Sequence, residues 1–231
     1  MARVPVPEFL HANPVFAAVP IKELQALAGV AREQSYRPRE VIFSQGEPAL
    51  FFCIVRTGHV KILRAGHGGR DVVLELLGAG EPFGGAAVLE RRDYPASAQA
   101  TEPTVVLRIP RDPLIALSDR HPSIIREMAL MIGRRLRGAH DSMTSLATDP
   151  VEARLAATLV RLAEREGERG RGGITLPALT RQSLADMTGT TVETTIRVVS
   201  RWLKERVVVE REGRLVVPDV AALERRTGED A

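Results

Sequence analysis

Short apolar runs separated by glycines fill the chain from Tyr36 to Ile109. Runs of this length, bounded by turn residues, predict β-strands, and their regular spacing favours an all-β barrel or roll. We predict strands at Val41 to Phe43, Phe52 to Val55, Val60 to Leu63, Val72 to Leu77 and Val105 to Ile109, and turns at Gly46, Gly58, Gly66 to Gly69, Gly78 and Gly80. A short helix, Ile21 to Val30, is predicted ahead of the roll.

A helical pattern follows the roll and becomes long after Pro122. Its apolar residues recur every three or four positions and end at Leu146, which makes one stripe along a helix. A helix of about 25 residues is ~37 Å long, more than a small roll can cover, so part of the stripe needs another partner. A second copy of the chain is the simplest partner. We therefore predict a homodimer whose interface contains Ile125, Met128, Ile132, Leu136, Ala139 and Met143.

A linker is predicted at Thr148-Asp149-Pro150, because a proline holds the residue before it extended. Beyond it we expect a helix from Val151 to Glu166 and a charged, glycine-rich loop from Glu164 to Gly173. The linker and the long helix divide the chain into three predicted domains: residues 1–120, 121–147 and 148–231.

Two short helices joined at Gly189 are predicted between Thr180 and Leu203. Their apolar faces are Leu184, Ala185 and Met187 on the first helix and Ile196, Val199 and Leu203 on the second. Val207 to Val209 and Leu215 to Val217 then form a hairpin across Glu212-Gly213. This order predicts a winged helix-turn-helix, so the fold class is α+β: a β-roll, a long dimerisation helix and a winged helix-turn-helix.

Glu193 and Arg197 lie four residues apart near the start of the second helix, so they share one face. In a helix-turn-helix this part of the second helix meets base edges in the major groove. A carboxylate accepts a hydrogen bond from cytosine N4, and a guanidinium donates two to guanine. An ordinary intrahelical ion pair is the alternative interpretation.

The formal net charge is only +3, so affinity for nucleic acid has to come from a local arrangement of charge. A single cysteine, Cys53, excludes an intramolecular disulfide and a four-cysteine iron-sulfur site within one chain. No segment approaches 18 uninterrupted apolar residues. We expect a cytoplasmic protein with no membrane association.

The order of roll, long helix and winged helix-turn-helix resembles the CRP/FNR family of bacterial transcription regulators over nearly the whole chain. The motifs that carry this resemblance are Gly46-Glu47-Pro48, Ile54-Val55-Arg56-Thr57-Gly58-His59-Val60-Lys61-Ile62, Arg134-Arg135-Leu136, Leu179-Thr180-Arg181-Gln182, Val192-Glu193-Thr194 and Arg197. The resemblance implies that the roll is similar to a cyclic-nucleotide-binding domain, the double-stranded β-helix.

By this resemblance, Glu193 and Arg197 match the family's base-reading pair, which recognises a G·C pair in an inverted repeat with TGA-like half-sites. Val192 matches the FNR-type branch, in which an apolar residue contacts a thymine methyl, while Ile196 stands where that branch carries a small polar residue. The implied phosphate contacts are Thr180, Arg181, Gln182, Thr191 and Arg201. Thr180 is also predicted to be a helix N-cap.

The implied effector pocket comprises Phe83, Gly84, Gly85, Ala86, Tyr94, Ser97, Ala139 and His140. Members that bind cyclic AMP carry a glutamate in a Phe-x-Gly-Glu turn and an arginine before a serine. This chain has Gly85 and Ala96 at those two places, and Ala139 and His140 where such members carry hydroxyls. We therefore do not expect cyclic-nucleotide binding, although Arg91 and Arg92 lie near enough in sequence to be considered as substitutes.

The identity of the cofactor stays open at the level of sequence. An iron-sulfur cluster is not expected, and haem is retained because the segment from Tyr94 to Ala98 resembles the nitric-oxide-responsive, Dnr-like branch. The available imidazoles are His11, His59, His67, His121 and His140. An unknown small molecule or gas, or no ligand, is the remaining option.

The function predicted from these features is a transcription regulator that binds double-stranded DNA as a homodimer, responds to a signal sensed in the roll and contacts RNA polymerase. One alternative is a ligand-binding module that controls a protein partner through its C-terminal domain. A cupin-like metal enzyme is the other, although no His-x-His pair occurs. We do not expect an enzyme.

Overall fold

The computed structural model describes residues 4–66 and 71–227. Through the long helix, its elements in chain order are α1 (Val6–Ala12), α2 (Ile21–Val30), β1 (Arg32–Tyr36), β2 (Val41–Phe43), β3 (Phe51–Thr57), β4 (Val60–Ala65), β5 (Asp71–Leu77), β6 (Pro82–Phe83), α3 (Gly85–Glu90), β7 (Ser97–Ala100), β8 (Thr104–Pro110), α4 (Arg111–Arg120) and α5 (Pro122–Thr148). Contacts divide the chain into two compact units, residues 1–60 with 77–139 and residues 61–76 with 140–231.

The first unit contains antiparallel sheets that form the predicted roll. One sheet has the strand order β1-β8-β3-β6, and β2 pairs with β7 in another. Strand β3 is buried on both faces from Phe52 to Arg56, which is why its sequence reads as a continuous apolar run instead of an alternating one. Its neighbour β8 adds the fully buried Leu107 and Ile109.

The long helix α5 is continuous over 27 residues. Ile124 and Met128 are buried near its start, where the sulfur-bearing end of Met128 lies against Gly85 of the same unit. The helix also exposes large apolar side chains along its length: Ile125, Leu130, Ile132, Leu136, Met143 and Leu146. The prediction that Met128 belongs to the dimer interface is therefore wrong, because its side chain is covered by its own roll and has no surface left for a partner.

The second unit contains, after α5, the elements α6 (Val151–Glu166), β9 (Glu168–Gly170), β10 (Gly173–Thr175), α7 (Arg181–Thr188), α8 (Val192–Lys204), β11 (Val209–Arg211), β12 (Arg214–Val217) and α9 (Val220–Glu224). Four short strands form a sheet in the order β11-β12-β10-β9. The hydrophobic core of this unit joins α6, α7 and α8 around four fully buried side chains: Trp202, Leu159, Leu184 and Val199. This is the predicted winged helix-turn-helix.

The predicted fold class is confirmed, and the spans predicted for α2 and α6 agree with the structure. Five strands of the described residues were not predicted from the sequence: β1, β6, β7, β9 and β10. The segment from Glu164 to Gly173, predicted as a loop, contains the end of α6 and the first part of a β9–β10 hairpin. The contact boundary between the units falls inside α5, whereas the predicted division gave that helix a domain of its own. Residues 67–69 of the predicted Gly66 to Gly69 turn lie outside the described residues.

Candidate nucleic-acid interface

Both helices of the helix-turn-helix begin at a threonine cap. The Thr180 hydroxyl accepts a hydrogen bond from the Ser183 N–H at 3.0 Å, and the Thr191 hydroxyl accepts one from the Thr194 N–H at 3.2 Å. Each bond satisfies one backbone donor that the first turn of a helix leaves without an intrahelical partner. The N-cap predicted for Thr180 is confirmed, and the caps fix where α7 and α8 start.

Gly189 makes the turn between the two helices. Its φ of 60° and ψ of 42° lie in the left-handed region, which costs glycine little and other residues more. A Cβ at this position would also lie 2.5 Å from Cδ2 of Leu146. The sharp change of direction predicted at Gly189 is therefore confirmed, and the space beside the glycine is filled by α5.

The inner face of α8 is set by Thr195, Val198, Val199 and Trp202, which are buried. The prediction that Ile196 belongs to this apolar face is wrong, since its side chain is 47% exposed. Thr195 takes the inner position because its hydroxyl donates to the Thr191 carbonyl at 3.0 Å, which removes the cost of burying it. The spacing of apolar residues in the sequence does not by itself predict that a threonine is buried.

The outer face of α8 carries Glu193, Ile196, Arg197 and Ser200, all exposed. A helix turns about 100° per residue, so these four side chains lie within an arc of roughly 100°. A carboxylate and a guanidinium thus stand on the exposed side of the N-terminal half of the helix, where an extended partner can reach both.

An ionic and aromatic network holds α8 against α6. The indole N–H of Trp202 donates to Glu152 Oε1 at 2.9 Å, and Arg201 forms an ion pair with the other carboxylate oxygen. Arg226 bridges Glu152 and Glu205 at 3.3 and 2.7 Å. Burial by itself raises the pKa of Glu152, but the hydrogen bonds from Trp202 and Arg201 outweigh it and hold the pKa below its ordinary value.

Arg154 ties the linker to the end of α7. Its guanidinium donates to the Asp149 carbonyl at 2.7 Å, to the Thr188 carbonyl at 2.9 Å and to the Gly189 carbonyl at 3.4 Å. The last carbonyls of a helix have no intrahelical donor, and a cation is favoured there. One side chain therefore fixes the position of the turn relative to the start of α6.

The side chains predicted to contact phosphates have partners within the second unit. Arg181 pairs with Glu210 at 3.2 Å, Gln182 donates to Asp186 at 2.7 Å, and Arg201 pairs with Glu152. Thr180 and Thr191 cap their helices. Arg181 and Arg201 remain about a quarter and a half exposed, and exposed pairs of this kind contribute about 0–1 kcal/mol, so exchanging a carboxylate for a phosphate costs little.

The structure brings together four of the predicted effector residues: Phe83, Gly84, Gly85 and Tyr94. A Cβ on Gly84 would lie 3.1 Å from the Tyr94 ring, and a Cβ on Gly85 would collide with the end of Met128 and lie 3.1 Å from Phe52. Tyr94 stacks on Phe43 with 3.6 Å between ring centroids, and its hydroxyl donates to the Phe51 carbonyl at 2.6 Å. Apolar and aromatic side chains thus occupy the space around the glycine turn.

The other predicted effector residues are exposed or have a partner of their own. Ala86, Ala139 and His140 are exposed, and the Ser97 hydroxyl accepts a hydrogen bond from the Gln45 N–H at 2.9 Å. Arg91 and Arg92 are also largely exposed and lie near Asp112 and Glu90.

The imidazoles considered for haem have other partners or are exposed. His59 is paired with Glu102 at 2.5 Å and His121 with Glu23 at 2.7 Å, whereas His11 is exposed; His67 lies outside the described residues. Within residues 4–66 and 71–227, no cluster of three or more His, Cys, Asp or Glu side chains is arranged to hold a metal ion.

Cys53 is fully buried in β3. Burial raises the pKa of its thiol to about 12, so the thiolate needed for metal binding or oxidation is not formed near neutral pH.

Glu152 and Arg154 were not predicted from the sequence, because they act through contacts that distant segments supply. Their only signal was their place in the first turn of the helix after the linker. None of the helices in the described part of the chain is long and apolar enough to cross a membrane.

Two family models match the chain: a cyclic nucleotide-binding domain over residues 33–121 and a Crp-like helix-turn-helix domain over residues 153–226. A protein named cyclic AMP receptor protein, from Thermus thermophilus, is 30% identical over 215 residues, which cover 93% of this chain and 97% of that relative. Transcriptional activator protein anr of Pseudomonas aeruginosa is 29% identical over 188 residues, covering 81% of this chain and 76% of its own length. The solved structure of FixK2 from Bradyrhizobium japonicum has a TM-score of 0.77 at 26% identity, covering 87% of this chain and 100% of that one.

A Crp-like helix-turn-helix with an exposed outer face on its second helix makes the protein a DNA-binding transcription regulator. The roll, the long helix and the relatives identify it further: the chain belongs to the CRP/FNR family.

Proposed function

We propose that the protein binds, as a homodimer, an inverted repeat with TGA-like half-sites, with one α8 in the major groove of each half-site. The observation that carries this proposal is the pair Glu193 and Arg197 on the exposed face at the start of α8, whose opposite face is anchored through Trp202. The Glu193 carboxylate accepts from cytosine N4 and the Arg197 guanidinium donates to O6 and N7 of the paired guanine. Both members of one G·C pair are thus read. Val192, half-buried at the start of the helix, is placed beside them as an apolar base contact.

The phosphate contacts are supplied by the helix caps and by the arginines around them. Thr180, Gln182 and Thr191 stand at the starts of α7 and α8, where backbone N–H groups and the helix dipole favour an anion. Arg181 and Arg201 leave their carboxylate partners for phosphate oxygens. These contacts set the position of the protein on DNA without conferring sequence preference.

The partner for dimerisation is a second α5. Its exposed apolar side chains, among them Ile132, Leu136 and Met143, are unusual for a helix surface in water, and two copies laid side by side cover each other. A dimer supplies two reading helices, which a palindrome requires about 34 Å apart. A signal sensed in the roll would then favour one packing of the paired helices, and RNA polymerase is the proposed partner of the DNA-bound dimer.

Cyclic AMP is not proposed as the signal, although one relative is named for it. At the place where a cyclic-AMP-binding member carries its glutamate, Gly85 is closed in by Met128 and Phe52, so that a larger residue requires both to shift. At the place of the phosphate-binding arginine, Ala96 is buried. The proposed signal is a small molecule or gas of another kind.

The test compares two arginine variants on matched duplexes. Arg197→Ala is expected to reduce discrimination of the half-site guanine by about 1–3 kcal/mol, whereas Arg181→Ala weakens binding to all sequences about equally and lowers the salt dependence. Equal losses on the palindrome and on scrambled DNA for Arg197→Ala would contradict the assignment of bases to α8. Titration of the full chain with cyclic AMP is expected to leave its DNA affinity unchanged. An increase in DNA affinity caused by the nucleotide would contradict the proposal that the roll senses another signal.

A further inference from the structure

Ile196 is the large apolar side chain that α8 turns away from its own core. Its side chain is 47% exposed, whereas Val198, Val199 and Trp202 on the same helix are buried. A lone exposed isoleucine on a protein surface needs no explanation by itself. The position of this one does, because it shares with Glu193 and Arg197 the outer face that is proposed to enter the major groove.

The shape of the side chain suits a contact with little adjustment. Isoleucine is branched at Cβ, so in a helix it keeps one strongly preferred χ1 rotamer and loses little freedom when a partner covers it. It has neither a donor nor an acceptor. A base edge that presents only polar groups to Ile196 therefore loses hydrogen bonds to water without receiving any in return.

Thymine is the base whose major-groove edge carries a methyl group. Residues 196 and 197 differ by only ~1.5 Å in height along the helix axis but point ~100° apart around it, so their side chains reach adjacent base pairs, which are ~3.4 Å apart. We infer that Ile196 reads the methyl group of a thymine in the base pair next to the G·C pair contacted by Glu193 and Arg197. This inference rests on the proposed function, since it requires α8 to lie in the major groove.

The expected size of the effect follows from the apolar surface that one methyl group buries. Removing a single buried methyl corresponds to roughly a fourfold loss of affinity for one half-site and roughly fifteenfold for both half-sites of a palindrome. These ratios are large enough to measure by titration and small enough to leave binding detectable.

The experiment begins with selection of a preferred duplex from a random pool by the full-length wild-type protein. Each thymine of the selected half-site, on either strand, is then replaced in turn by deoxyuridine, which removes the methyl and keeps the Watson–Crick pairing. Affinities are measured for wild type, Ile196→Ala, Ile196→Val and, as a control for the neighbouring apolar contact, Val192→Ala. Fluorescence of the buried Trp202 confirms that each variant is folded.

One thymine beside the G·C pair is expected to show the fourfold loss in wild type. That loss should disappear in Ile196→Ala, persist in Val192→Ala and be largely retained in Ile196→Val, since valine keeps the branched apolar contact. The inference is overturned if no deoxyuridine substitution weakens the wild type, or if the sensitive methyl depends on Val192 and not on Ile196. A selected site without TGA would contradict the proposed half-site, and the methyl contact would then be tested on the selected duplex in the same way. Failure to enrich any sequence would overturn both.

Discussion

Replacing Gly189 by alanine is expected to destabilise the second unit by about 1–2 kcal/mol. An L-residue at this left-handed position costs about 1–2 kcal/mol, of which about 0.4–1 kcal/mol is returned because alanine restricts the unfolded chain. The added Cβ would also lie 2.5 Å from Cδ2 of Leu146, and because this side chain is half exposed it can turn away at a cost of about 0.5–1.5 kcal/mol. The measurement is urea unfolding followed by the fluorescence of Trp202, the single tryptophan, which is fully buried in this unit.

Two further variants separate the backbone from the packing contribution. Gly213→Ala is a matched control, because Gly213 has φ of 74° and nothing lies within 4 Å of its added Cβ, so about 1 kcal/mol or less is expected. In a Leu146→Ala background, Gly189→Ala should cost about as much as Gly213→Ala does. A cost for Gly189→Ala no larger than that of Gly213→Ala in the wild-type background, or no relief from Leu146→Ala, would show that Leu146 does not restrict this turn.

Three further outcomes are expected from the contacts within each unit. Because the pKa of Glu152 is held below its ordinary value, its ionised form stabilises the fold above about pH 4.5. Glu152→Gln should therefore lower the free energy of unfolding by about 1–2 kcal/mol at pH 7, and by progressively less as the pH falls through the lowered pKa. A difference in unfolding free energy that does not change with pH would contradict this. Arg154→Met should destabilise the second unit by about 1–2 kcal/mol, as measured by urea titration. The loss for Arg154→Lys in the same titration should be intermediate, because one ammonium cannot span the carbonyls of Asp149, Thr188 and Gly189. Cys53 should react with a thiol reagent at pH 8 about three orders of magnitude more slowly in the native protein than in urea, and comparable rates would show that it is not buried.

The sequence predicted most of the fold because periodic apolar residues mark segments that bury one face. The helices α2 and α6 and the buried strands β3 and β8 carry such patterns within themselves. Strand β1 does not, since its sequence Arg-Glu-Gln-Ser-Tyr is polar and is held by pairing with β8, more than 60 residues away. Its Glu33 is paired with the buried Arg56, a contact that no local pattern indicates.

The candidate site was predicted to a similar extent and for a similar reason. The exposure of Glu193 and Arg197 follows from their spacing within one helix. Glu152 anchors that helix, and Arg154 anchors the turn. Both contacts join segments 34 to 50 residues apart in sequence, which only the fold brings together. Ile196 was placed on the wrong face because Thr195 occupies the inner position as a hydrogen-bonded residue.

Sequence-specific recognition of an inverted repeat by a dimer is the central claim of this account. The most direct measurement compares the affinity and stoichiometry of the full chain on three duplexes: an inverted repeat of TGA half-sites, one such half-site, and a scrambled sequence of the same composition, all at about 0.15 M salt. Two chains are expected to bind the inverted repeat at least ~10³-fold more tightly than scrambled DNA, with the single half-site bound more weakly than the repeat. Equal affinity for the three duplexes, or one chain bound to the repeat, would contradict the claim.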